Sequence, residues 1–344
     1  MRNRGPDVGR YILRRLVVMP FLLLGIITIA FGISRLIPAN PLASIVGERQ
    51  LNNEVVVNAA KAKWGLNGTI PEQYVKYLKN LTKGDLGTSF RTRQSVVTDL
   101  RERFPATLEL GVGALLIGGV GGVALGAIAA SRKDKPVDHF ARLFSLFGSS
   151  LPVFWIGLVL LSILYARLGW FPGPGRLPPR VSAPPKVTGF YTVDALVDGN
   201  AKLFWQCLQR LALPCFVLGW AYMGQISRLV RAAMLDELHS DYVRTARAKG
   251  LRERTVMRSH VLRNAWLPTL TILGFSFAQL LTASVLTETI FQWNGIGSYA
   301  VQAAQTLDYP AVAGVSLFGG LAFLLANLVT DLLYAVADPK IRLS

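Results

Sequence analysis

Six stretches of this sequence run for about 20 residues with little or no charge, the length a helix needs to cross the hydrocarbon core of a bilayer. They fall roughly at 16–37, 106–130, 144–168, 208–230, 267–290 and 311–336. A water-soluble domain has no use for so many uninterrupted apolar runs. An all-α integral membrane chain of six transmembrane helices is therefore expected. The composition agrees: 51% of the 344 residues are hydrophobic and 17% charged.

The formal net charge of +17 could point to nucleic acid, but basic residues of membrane proteins gather in cytoplasmic loops and set orientation. No nucleic-acid partner is expected; membrane lipid is. Arg2, Arg4, Arg10, Arg14 and Arg15 precede the first run, SRKDKPVDHFAR joins the second and third, and a basic stretch at 240–268 joins the fourth and fifth. The linker FQWNGIGSYAVQAAQTLDYP has no Lys or Arg. Both termini and the basic linkers are thus assigned to the cytoplasm of a multi-pass chain. The first run is longer than a signal-peptide core and lacks a convincing cleavage site, so it reads as a retained anchor.

Charged residues near span ends can reach the interface, and Glu109 and Arg228 are read so. Glu288 and Asp331 are the deepest acidic residues and are likewise read as interface anchors. Cys207 and Cys215 lie eight positions apart, about 12 Å along one helix, too far for a disulfide. They read as packed free thiols. Neither HExxH nor CxxC occurs, so no metal site is expected.

Between the first two runs, NEVVVNAAKAKWG and IPEQYVKYLKNLTKG show helical patterning. They predict a small helical external segment, with 1–105 forming a first unit and 106–344 a five-helix core. The linker FPGPGRLPPRVSAPPK is rich in Pro and Gly and reads as an irregular connector shaped against a partner. In the second run Gly118, Gly122 and Gly126 recur every four residues, a small-residue face for close helix packing within the subunit.

The stretch 240–268 carries the sharpest functional signal. DYVRTARAK can form two to three helical turns, and Gly250 is placed to end them. Tyr242 and Ala246 share a face, and an Ala-containing face would let the rod enter a groove. An ordinary basic linker is the plainer alternative.

Arg244-Thr245-Ala246, Gly250 and Leu267-Pro268 resemble the cytoplasmic EAA-xxx-G…LP signature of ABC importer permeases. The first Glu and one Ala of that signature are replaced, and its Gly-to-LP interval is long. YVRTARAKGL…RNAxLP is similar to the dipeptide/oligopeptide branch. The likeness extends through YILRRL, GDLGTSF, ATLEL, LPVFWIGLVL, WFPGPG, LALPCFVLGWAYMGQISRLVRAAML, TETIFQWNGIG and TDLLYAVADPKIR, in order along the chain. The resemblance implies a type I ABC importer permease fold in a bacterial inner membrane. It implies a second homologous permease, two cytoplasmic ABC ATPases that bind ATP and Mg, and an extracytoplasmic binding protein that delivers di- or oligopeptides. Relatives for nickel and for oligosaccharides leave the substrate open. It also implies that the loop helix fits an ATPase cleft, with Tyr242, Ala246, Arg247, Lys249, Gly250 and Leu251 as coupling residues. No GxxxxGK[ST] occurs, so no catalytic residue and no cofactor are expected in this chain.

Overall fold

The computed structural model describes residues 8–36, 41–46, 48–63 and 67–337. Most of ADPKIR, together with Arg2 and Arg4 of the N-terminal arginines, lies outside them. The named elements among the described residues are all helical.

Helix α1 (Val8–Leu36) is followed by α2 (Pro41–Val46), α3 (Glu54–Lys63) and α4 (Ile70–Leu81). The last two match the helices read from NEVVV and IPEQY. Thr69 and Glu72 form a capping box at the start of α4, which satisfies backbone donors the first turn leaves free. Tyr74 returns α4 to α1: its hydroxyl lies 2.6 Å from Thr28 Oγ1, and its ring sits 5.2 Å from that of Phe31.

Among the described elements, helix α5 (Val96–Ser131) and helix α9 (Ala201–Glu237) make the most extensive pairing. Gly118, Gly122 and Gly126 make that pairing possible. A Cβ at Gly118 would stand 2.7 Å from the Gly219 carbonyl oxygen, and one at Gly126 would stand 2.6 Å from that of Ser227. The small-residue face is a contact inside this subunit, as the sequence implies.

The third apolar run is not one helix. It becomes α6 (Pro136–Ser150) and α7 (Val153–Leu160), the latter continuing in π-helical turns over Leu161–Arg167. The two halves meet at 105°. Pro152 disfavours helical backbone in the residue before it, and Leu151 is accordingly extended at φ −83°, ψ 142°. The Pro- and Gly-rich connector follows at 171–186. It is irregular, precedes α8 (Tyr191–Val197) and is bonded to this chain's own helices. Arg176 donates to Glu109 Oε2 at 2.6 Å, Arg210 to the Gly173 carbonyl at 2.9 Å, and the Gly175 amide to the Phe291 carbonyl at 2.8 Å.

Beyond α9 come α10 (Asp241–Ala248), α11 (Glu253–Thr255), π-helical Val256–Val261 and α12 (Leu262–Asn264). Then follow α13 (Trp266–Ala283), α14 (Val285–Ile290), α15 (Ile296–Gln305) and α16 (Tyr309–Ala337). Among the described residues, three helical stretches are long and apolar enough to cross a membrane, Ile12–Ile33, Val96–Ser131 and Tyr309–Leu332, with the bent α6/α7 pair as a fourth candidate.

The interface-anchor reading fails for both internal glutamates. Glu109 is buried, pairs with Arg176 and accepts the Thr192 amide and hydroxyl at 3.0 and 2.7 Å. Glu288 is fully buried and accepts from Thr107 Oγ1, Ser284 Oγ and the Ser298 amide at 2.8, 2.9 and 3.0 Å. Each has at least one partner far along the chain, Arg176 and Thr192 for Glu109 and Thr107 for Glu288, which position within a span could not reveal. Asp331 instead pairs with Arg15 at 2.9 Å, joining α16 to α1. Arg228 is exposed and donates to Ser149 Oγ at 2.7 Å. Cys207 and Cys215 are free and buried.

Candidate functional site

The basic stretch folds as a short rod on a fixed base. Ser240 stands at the N-cap of α10 with extended backbone (φ −72°, ψ 150°), and its carbonyl accepts the Val243 and Arg244 amides at 3.1 and 3.3 Å. Asp241 places a negative charge in the first turn, where the helix dipole favours it. At the other end the Gly250 amide donates to the Arg247 carbonyl at 2.9 Å and the Leu251 amide to the Ala246 carbonyl at 3.3 Å. That pair of bonds is a Schellman cap. It requires the left-handed backbone that Gly250 adopts at φ +75°, a conformation glycine enters without steric cost.

The inner face of the rod is Val243 and Ala246. Both are buried against Met234, Val256 and Val261 in one apolar cluster. The Ala246 methyl therefore points into its own subunit, and the rod's other side is the one left open. Helical spacing says that Tyr242 and Ala246 are neighbours, but not which side of the rod the base covers. Val243, three residues before Ala246, is the signal that could have shown it, since an apolar i, i+3 pair marks a packed face.

The expected coupling residues divide accordingly. Tyr242 is at the edge, its hydroxyl donating to Glu237 Oε2 at 2.6 Å. Arg247 is exposed but committed to Glu253, with bonds of 2.7 and 3.1 Å. This fork-to-carboxylate pair holds the Glu253 carboxyl below its ordinary range and ties the rod to α11. Lys249, Gly250 and Leu251 are exposed at the tip, and Arg244, Thr245 and Ala248 complete the outer face.

A second clamp lies behind the rod, unseen in the sequence. Arg231, near the end of α9, donates from Nε and Nη2 to Asp138 at 2.8 and 2.7 Å. Asp138 also accepts the Asp134 amide at 3.0 Å and is fully buried. The Arg231 guanidinium holds its carboxyl down at about 2. The start of α6 is thereby fixed to the helix that carries the loop. This arrangement can transmit a push, because a rigid rod is bonded to its base at Glu237, Glu253 and the Val243–Ala246 face.

Comparison with known proteins places the chain in a family. Residues 122–343 match the family described as "Binding-protein-dependent transport system inner membrane component". Residues 8–111 match the corresponding N-terminal family of membrane components. The probable D,D-dipeptide transport system permease protein of Escherichia coli (strain K12) is 42% identical over 317 residues, 92% of this chain and 93% of that protein. The di/tripeptide transport system permease protein of Pseudomonas aeruginosa (strain UCBPP-PA14) is 40% identical, covering 96% of this chain and 98% of its own length. An oligopeptide transport system permease protein of Bacillus subtilis (strain 168) is 34% identical over 97% of this chain and all of its own.

Proposed function

We propose how this chain works from one premise: it belongs to the family of binding-protein-dependent transport system inner membrane components. It is an integral membrane permease subunit of an ABC importer, and its cargo is di- or oligopeptides. The observation that carries the cargo assignment is identity of 42% and 40% along nearly the full chain to permeases named for dipeptides and tripeptides. No observation favours nickel or an oligosaccharide.

The finer reading is ours. The six apolar runs cross the membrane, the third through the bent α6/α7 pair, with both termini and the 240–268 loop in the cytoplasm. The segment with α3 and α4 and the connector with α8 stand outside, where an extracytoplasmic binding protein delivers the peptide. A second homologous permease completes the pathway, and two cytoplasmic ATPases bind ATP and Mg. The chain supplies neither catalytic residue nor cofactor. Its part is mechanical: the outer face and tip of α10, from Arg244 to Leu251, seat in one ATPase, and the rod's bonds to its base carry nucleotide-driven closure into α9 and α13.

What supports this role is the rod's construction, a capped helix of 8 residues whose outer side and tip, Leu251 among them, are exposed and whose inner side, Val243 and Ala246, is fixed. The decisive experiment places a cysteine at Ala248 of the assembled transporter. Crosslinking to an ATPase subunit, strengthened or weakened by ATP, is expected. Crosslinks only to the binding protein would reverse the orientation and refute the role. Uptake competed by dipeptides but by neither nickel nor oligosaccharide is the expected cargo result.

A further inference from the structure

A cavity of about 470 Å³ opens at the loop end of the molecule, between the end of α5, the end of α9 and the π-helical segment Val256–Val261. Its wall carries Arg132, Arg254 and Arg258 beside Ile128, Met257 and Leu262. None of these three arginines makes an ion pair or side-chain hydrogen bond among the described residues. Glu253 also lines the cavity, but both its oxygens are engaged by Arg247. The space therefore holds three uncompensated positive charges over an apolar floor.

The surface leading away from it is apolar. Leu116, Val120, Ala124 and Ile128 recur every four residues on α5 and are all exposed. From Leu116 to Ile128 this rail runs about 18 Å at the helical rise. One leaflet of hydrocarbon is about 15 Å deep, half of the bilayer core. The rail ends where Ser131 and Arg132 begin the polar face. Cationic space at the interface and an apolar strip one leaflet long meet in register.

We propose that this cavity is a binding site for the headgroup of an anionic phospholipid, with Arg132, Arg254 and Arg258 on the phosphate and the acyl chain along Leu116–Ile128. Basic cavities at the ends of membrane helices suit anionic headgroups, and each arginine near the membrane surface contributes about fivefold in affinity. Arginine suits the role because its fork bonds phosphate oxygens in pairs. The π-helical turn matters here: its wider winding carries Met257 and Arg258 into the same wall, and such turns recur at functional positions. The site rests only on the chain being membrane-embedded, whichever leaflet the loop faces.

The test uses the assembled transporter in nanodiscs of phosphatidylethanolamine with and without phosphatidylglycerol, with retained lipid counted by native mass spectrometry. Phosphatidylglycerol should be retained selectively, and R132Q/R254Q/R258Q should lose it by about fivefold per arginine. K133Q/K135Q/R263Q, which removes the same charge outside the cavity, should retain it. Equal loss in both variants would mean diffuse surface charge and would overturn the site. So would displacement of the lipid by inorganic phosphate at matched concentration, which marks a soluble-anion site. A cysteine at Arg258 or Val120 that crosslinks to the second permease at full yield would show the space covered by protein, and would overturn it equally.

Discussion

Arg231 grips Asp138 with two nitrogens, at 2.8 and 2.7 Å, on a carboxylate with no exposed surface. This bond joins two helices that the sequence separates by 93 positions. It also places the start of α6 on the helix that leads into the loop. A buried pair of this kind is far costlier to break than to replace, because removing one partner strands the other charge. Arg231→Ala should therefore lower stability by about 3–5 kcal/mol, while Asp138→Leu combined with Arg231→Met should recover much of it. Thermal unfolding of the detergent-solubilised protein reads both.

The same pair sets an acid limit. The Asp138 carboxyl titrates at about 2 when folded and at about 3.9 in an unfolded chain. A depressed folded value means the stabilisation is complete above the unfolded value and fades as pH falls through the folded one. Asp138 should contribute about 2 kcal/mol above pH ~4 that is lost progressively toward pH ~2. Asp138→Asn should flatten the acid limb of a melting-temperature profile between those values. An unchanged limb would show the pair to be solvated.

Much of the architecture was legible because it depends on local chemistry. Gly250 ends α10 because only a residue at ease in left-handed backbone closes that cap. The glycines of α5 face α9 because their spacing matches one helical face. What escaped reading depended on partners far along the chain. Glu109 lies 67 positions from Arg176, and Glu288 lies 181 from Thr107. Hydropathy marks such residues as charges near a span end and is blind to what surrounds them. Pro152 did carry a local signal, but the apolar run on both sides of it reads as continuous. The loop was found by its composition, but alanine spacing only identifies a face, whereas Val243 shows that this face is the covered one.

The loop makes a paired prediction. Ala246→Glu forces a charge into the apolar cluster and should reduce folded, extractable permease itself. Lys249→Glu, on the exposed tip, should leave the permease folded and abolish uptake. Gly250→Val should strain the cap by about 1–2 kcal/mol, since left-handed backbone clashes with a branched side chain. The protein would remain in the membrane with ATPase crosslinking from position 248 weakened about tenfold. Fluorescence size-exclusion and crosslinking yield separate the two kinds of failure. If Lys249→Glu still supports wild-type uptake, the tip does not touch the motor.

The α5–α9 seam predicts a steric result. A Cβ at Gly126 would lie 2.6 Å from the Ser227 carbonyl oxygen and 2.8 Å from Val230 Cβ. Backbone cannot swing aside as a flexible side chain can. Gly126→Val should cost about 1–3 kcal/mol or more through forced separation of the helices. Gly319→Val is the control, because nothing lies within 4 Å of a Cβ there. Melting temperatures of the two variants should differ clearly, the first lowered and the second near wild type.

The connector after α7 is held by Arg176, which is paired to Glu109 at 2.6 Å, stacked 3.7 Å over the Tyr191 ring and bonded to the Gly189 carbonyl at 3.0 Å. Three contacts of different kinds converge on one planar guanidinium, so lysine cannot reproduce them. Arg176→Met would leave the Glu109 carboxylate buried without its cation, a loss of about 3–5 kcal/mol. The connector should then loosen before the bundle does, since Arg176 ties it both to Glu109 on α5 and to its own Gly189 carbonyl. Limited proteolysis of the folded variant is expected to cut between 176 and 190, where the wild type resists. Adding Glu109→Gln to Arg176→Met removes the stranded charge, so melting temperature should partly recover while the cut persists. That outcome separates the electrostatic role of Arg176 in the bundle from its mechanical role on the connector.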